Sequence, residues 1–226
     1  MLIHPTRPTH PLVEPADFAA ERLPDEVAAH ETALRAVYEW AGDYLSSPHP
    51  DLGRRGDVCP YTPTSLQRGL FFMSVHPGVP SGPRELADLL LAYRDWFLEL
   101  EPRTGPVAQF KTVLVLLPDL TGSGDWAVVD RAQELLKREY TDHGLMVGEF
   151  HPGPPDKGGL WNPDFRPLRS PVALLGIRNM VPTDFPFLRD DDVTLAAYLR
   201  RFGDRVPTHL RDDVRAAADR LATSGS

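Results

Sequence analysis

Cysteine is almost missing from this chain: of its 226 residues only Cys59 is one. A disulfide framework and any multi-cysteine zinc or iron–sulfur site within the chain are therefore excluded. Such cysteine usage fits a reducing cytoplasm. Long hydrophobic runs are also missing, and none approaches the roughly 18 residues that a membrane-spanning helix needs. The opening stretch MLIHPTRPTHPLVEPADF lacks a charged segment followed by an apolar one, so no secretory leader is expected. An excess of positive charge is missing too. The net charge of −8 argues against a general binder of nucleic-acid backbones, which needs a basic face. Among motifs, G-x-S-x-G and HExxH are absent. Gly122-Ser123-Gly124 has no lysine at phosphate-loop spacing. These absences leave a cytoplasmic protein that touches neither membrane nor nucleic acid.

What is abundant is proline, 24 residues beside 17 glycines, which implies many fixed turns and long loops. The length suggests one domain with an extension. Residues 1–24, with five prolines and little periodicity, read as an extended N-terminal arm, and 25–226 as the domain. Within it, helical spacing of apolar residues predicts helices over 25–46, 83–101, 125–141, 191–202 and 207–222. Short apolar runs bounded by turn residues predict strands at 69–75, 110–117, 144–150 and 172–178. Residues 48–67, PHPDLGRRGDVCPYTPTSLQ, read as a loop. The expected fold is a single α/β or α+β domain with a mixed sheet of four or more strands flanked by helices. Crossover connections make the first three strands parallel, and the fourth joins as a neighbour.

The stretch His143–Pro171 organises the rest. An apolar strand ends in Phe150-His151, and a long Pro/Gly-rich loop, HPGPPDKGGLWNPDFRPLRSP, follows. Loops beyond about 12–15 residues in a compact domain are usually functional or disordered. Leu160, Trp161, Phe165 and Leu168 are anchors expected to pack, so the loop reads as ordered. Ligands of such sheets sit beyond the C-terminal strand ends, which here carry His76, Pro118 and His151.

One chemistry suits a single histidine at a strand end with aromatic and proline walls and arginines nearby: a haem pocket. Haem iron takes an axial histidine or, as the other main choice, a cysteine thiolate. Arginines suit its propionates. Of the eight histidines, His4 and His10 fall in the arm, His30 in the first helix, His49 before the Cys59 loop, His143 at a helix end and His209 on the last helix. His151 is the expected iron ligand, because the Pro-Gly turn after it fixes its ring. His76 is then a distal residue or one that supports the ligand from behind, with His76 and Cys59 the alternative ligands; Arg166 and Arg169 are the propionate partners, and Trp161 and Cys59 complete the cofactor-binding set.

The order of pieces resembles the YqcI/YcgG-like family of bacterial haem proteins, some of which are N-oxygenases of amino-acid amines or guanidines. The resembling pieces are Cys59-Pro60-Tyr61 running into GLFFMSV, a helix ending YRDWFLEL, the strand VLVLLP, a third helix, and a loop with Trp161, Arg166, Arg169 and Ser170. The resemblance spans about residues 55–188 in order and character, and the loop HPGPPDKGGLWNPDFRPLRSP departs from it. It implies haem b, dioxygen or peroxide, and a small nitrogen-containing substrate in specialised metabolism; a homodimer is compatible with it. Two other classes stay open: a cofactor-free tailoring enzyme built on the same loops, and a non-catalytic domain that binds a ligand or partner.

Overall fold

The computed structural model describes residues 1–4, 7–19, 23–203 and 205–224, with backbone alone for 7–10 and 224. Its centre is a four-stranded mixed sheet of β3 (Phe71–Val75), β4 (Thr112–Leu116), β6 (Leu174–Asn179) and β5 (Leu145–Phe150), in the spatial order β3-β4-β6-β5. β3 and β4 are parallel, and β6 is antiparallel to both β4 and β5. The first three strands of the sheet therefore run the same way, and β6 returns between the second and third.

Side-chain pattern separates the two faces. β3 and the interior strands β4 and β6 are near-continuous apolar runs because both of their faces are covered. β5, at the edge, alternates instead: Leu145, Val147 and Glu149 are buried while the residues between them are partly covered. One face packs on α3 (Pro83–Glu99) and α4 (Ser123–Asp142), joining Phe72, Val113, Val115, Leu175, Ile177, Leu145 and Val147 to Leu90, Phe97, Val129 and Leu136. The other face packs on α1 (Glu31–Trp40) and the π-helical turn that extends it, Ala41–Leu45, through Phe71, Met73, Leu114, Leu116 and Leu174. On this second face Gly148 and Gly176 are paired across β5 and β6, and the Phe150 ring lies over both, occupying the space a Cβ would need. Burying one aromatic on two paired glycines ties the free edge to the sheet.

α5 (Phe185–Leu188), α6 (Asp192–Phe202) and α7 (Arg211–Ser224) form a satellite core with Met180 and Met146. The strand segments and the five long helices lie where the apolar periodicity puts them. Two details differ. The arm is not merely extended: β1 (Leu2–His4) and β2 (Arg7–Leu12) pair as an antiparallel hairpin, and Val13 bridges to Met73 at the β3 edge. Within 48–67, Thr62–Gln67 is a short helix, α2, opened by Pro63 in its first turn.

Candidate functional site

β5 has period two, so Val147, Glu149 and His151 point to the same side, towards α4. α4 answers with Trp126, Asp130 and Gln133, which its helical period places on one flank. The His151 side chain is 4% exposed; its Nε2 lies 3.1 Å from Asp130 Oδ1, and Asp130 is 38% exposed. A carboxylate can only accept, so Nε2–H donates and Nδ1 carries the lone pair. That Nδ1 is buried and has no hydrogen-bond partner among the described residues. The Trp126 indole stacks on the imidazole, centroids 5.4 Å apart and planes 11° apart, and donates its own N–H to Leu120 O at 3.2 Å.

One pleat earlier, the Glu149 side chain is 2% exposed and forms an ion pair with Lys157, which is 50% exposed. Lys157 also donates to Gln133 Oε1 at 3.2 Å, and Gln133 Nε2 donates to Val147 O at 3.0 Å. Burial holds the Glu149 carboxyl above the ordinary carboxylate range, opposed by the Lys157 charge and reinforced by Asp130. The result is two layers. Glu149, His151 and Gln133 are a polar floor; Asp130 and Lys157 are the members that solvent reaches.

Of the other residues expected at a site with His151, only the backbone of Arg169 is brought beside it. His76 does end β3, with its N–H on Leu116 O, so it shares the C-terminal end of the sheet with His151. But β3 and β5 are opposite edges, three strand spacings or roughly 14 Å apart. Cys59 packs on the α1 face, while His151 lies under α4 on the other. Trp161 is no inward anchor. It is 58% exposed, with the Arg54 guanidinium 5.0 Å from its ring. Phe165 does pack, at 8% exposure, stacked on His49 at 4.7 Å. Arg166 is spent inside the loop on Asp156, at 2.9 Å, and on Pro163 O. Arg169 is bridged to His151 through the backbone, with the Ser170 N–H on His151 O at 3.3 Å, but its side chain is exposed and its charge is felt by Tyr44 on the α1 side.

These positions do not fit a haem. His151 has one ring nitrogen engaged, the other walled in, and a ring face covered by Trp126. The arginines do not converge on it. Two surface hollows, about 450 Å³ beside Phe185, Arg189, Asp213 and Arg220 and about 220 Å³ beside Thr141, Gly144 and Arg201, touch none of the expected ligands. Among the described residues no three His, Cys, Asp or Glu side chains are grouped as a metal ion requires, and no helix is long and apolar enough to cross a membrane.

The model of a domain of unknown function, DUF6875, matches residues 34–213. The chain belongs to the DUF6875 family. The matched span runs from α1 into the first turn of α7, so the whole four-stranded sheet and every residue of the Asp130–His151 and Glu149–Lys157 pairs lie inside it, while the N-terminal hairpin lies outside. No curated protein and no solved structure matches the chain.

Proposed function

We propose that this DUF6875 protein is a small-molecule enzyme whose chemical step is a proton transfer at Asp130, with His151 as its buried partner. The observation that supports this reading is the pairing of a solvent-facing carboxylate with a buried imidazole. Asp130 faces solvent at the C-terminal end of the edge strand, and His151 behind it is held by one hydrogen bond and one aromatic stack. The His151 N–H fixes which carboxylate oxygen is spent and leaves the other available as a base. A proton taken from substrate goes to the free oxygen of Asp130, while the His151 Nε2–H keeps its hydrogen bond to the other oxygen and holds the carboxyl in place. An exposed carboxylate at the mouth favours a substrate carrying a basic nitrogen. This is the tailoring-enzyme class that the sequence left open, and no haem step enters it.

The test has two arms. In the first, a panel of small amines, guanidines and amino acids is incubated with the protein in D2O and followed by NMR for deuterium incorporation or new product. One class is expected to turn over, and Asp130→Asn is expected to slow it by about 10²-fold or more, the usual size of general-base catalysis. In the second, hemin is titrated into the protein and the Soret region recorded. A saturable one-to-one band that His151→Ala abolishes would reinstate the haem oxygenase in place of this reading.

A further inference from the structure

The dyad and its neighbour are covered by a short strap, residues 152–158, with the sequence PGPPDKG. Three of its seven residues are prolines and donate no backbone hydrogen bond. Its one backbone bond beyond the named elements is internal, Lys157 N to Pro155 O at 2.7 Å. Its distal end is tied to the rest of the loop, by Asp156 on Arg166 and by Gly158 closing on the backbone of Pro163. Pro155 in its middle is buried, and two further contacts hold it to the body of the domain. Gly153 lies flat on the Trp126 ring, so close that a Cβ there would sit 2.3 Å from a ring carbon. Lys157 reaches the Glu149 carboxylate and Gln133.

The asymmetry of the ion pair matters. Glu149 is 2% exposed, whereas the strap lysine that meets it is half-exposed. The Glu149 carboxylate oxygen Oε1 is met by Lys157 of the strap, and the buried His151 Nδ1 has no hydrogen-bond partner among the described residues. Closed, the strap spends the carboxylate on its lysine and leaves the imidazole nitrogen unused. Open, it exposes a carboxylate and an imidazole nitrogen one pleat apart, beside Asp130. A segment with one internal backbone hydrogen bond and a single buried proline as its apolar anchor opens more readily than a helix or strand of the core.

We propose that residues 152–158 are a lid over the polar floor, latched by Lys157 on Glu149, and that its opening admits substrate to Asp130, Glu149 and His151 together. The groups facing the latch are Asp130 and Gln133 from α4, His151 from the end of β5, and Lys157 itself. The lid rests on the proposed site for its purpose but not for its existence, so its test needs no substrate.

Trypsin supplies that test, because it cuts after Lys157, while Arg166, followed by Pro167, is a poor site. The rate of cleavage after Lys157 is measured by mass spectrometry under native conditions in the full chain and in Glu149→Gln, with cleavage after Arg220 as the reference. Glu149→Gln is expected to raise the Lys157 rate roughly tenfold relative to the reference, a size between those of exposed and buried ion pairs. In parallel, hydrogen exchange of peptides covering 145–151 and 153–160 is compared between the full chain and Lys157→Gln, which keeps Glu149 but removes the latch. Faster exchange confined to those peptides is expected. Equal cleavage ratios with unchanged exchange overturn the lid, as does acceleration spread evenly over the whole chain, which reports global loosening. An intact lid result with no effect of Asp130→Asn on turnover would leave the lid standing and sink the proton-transfer reading.

Discussion

Trp126 and His151 lie ring on ring, 11° from parallel, one from the N-terminal turn of α4 and the other from the end of β5. The stack holds the imidazole at the rotation that meets Asp130, and Gly153 packs against the same indole. Trp126→Ala removes both contacts. It should cost about 2–3 kcal/mol of stability, below the full range for a buried tryptophan because Trp126 is only part-buried. Trp126→Phe keeps a stacking face and should recover more than half of that. Urea midpoints of the two variants check the order; equal losses would mean that the stack does not hold the site.

Lys111 is 1% exposed. Its amine donates to Phe97 O at 2.8 Å and Leu100 O at 2.5 Å, at the C-terminal end of α3. Burial lowers its pKa from the ordinary lysine value to about 8. The neutral amine still has two donors for two carbonyls, so the bonds survive deprotonation. The unfolded chain binds this proton more tightly than the folded one, so stability should rise as pH increases from about 8 towards the ordinary lysine value. Lys111→Met should lack that rise. Urea unfolding between pH 7 and 10 compares the two slopes, and parallel slopes would show that Lys111 titrates normally.

Arg178 and Asp184 meet bidentately, at 2.8 and 2.6 Å, where β6 hands over to the satellite core. Asp184 is 2% exposed and also accepts the Val181 N–H at 2.8 Å. Asp184→Asn leaves the guanidinium without its counter-charge and should cost about 3 kcal/mol or more. The double variant Arg178→Met, Asp184→Asn should be less damaged than the sum of the singles. Thermal or urea denaturation of the cycle settles it; strict additivity would contradict the coupling.

The four strands were readable because each is a short apolar run; the alternation of β5 shows only in its burial. His151 was readable as well, since the run ends on it. Its surroundings were not. Strand order is set by long-range pairing that no local period encodes, so nothing in the sequence showed that β6 and β4 stand between His76 and His151. Asp130 is one of 32 acidic residues, and its contact with His151 spans 21 positions. Two signals did exist. Glu149 falls at an inward position of β5 between Val147 and His151, where a lone carboxylate needs a partner. Asp130 and Gln133 interrupt the apolar flank of α4 beside Trp126 and Val129. Read together, they pair a polar strand end with a polar helix flank. Trp161 misled for a plain reason: a large aromatic in a long loop can lie on the surface against an arginine as readily as under it.

Nitrogen-15 NMR of the histidine rings tests the central claim, that Asp130 holds His151 in one working orientation, most directly. With His151 assigned through His151→Gln, the neutral ring should show a protonated Nε2 and an unprotonated Nδ1, and Asp130→Asn should redistribute the proton between them. A ring protonated at Nδ1 in the unaltered protein, or a His151 spectrum untouched by Asp130→Asn, would contradict the account.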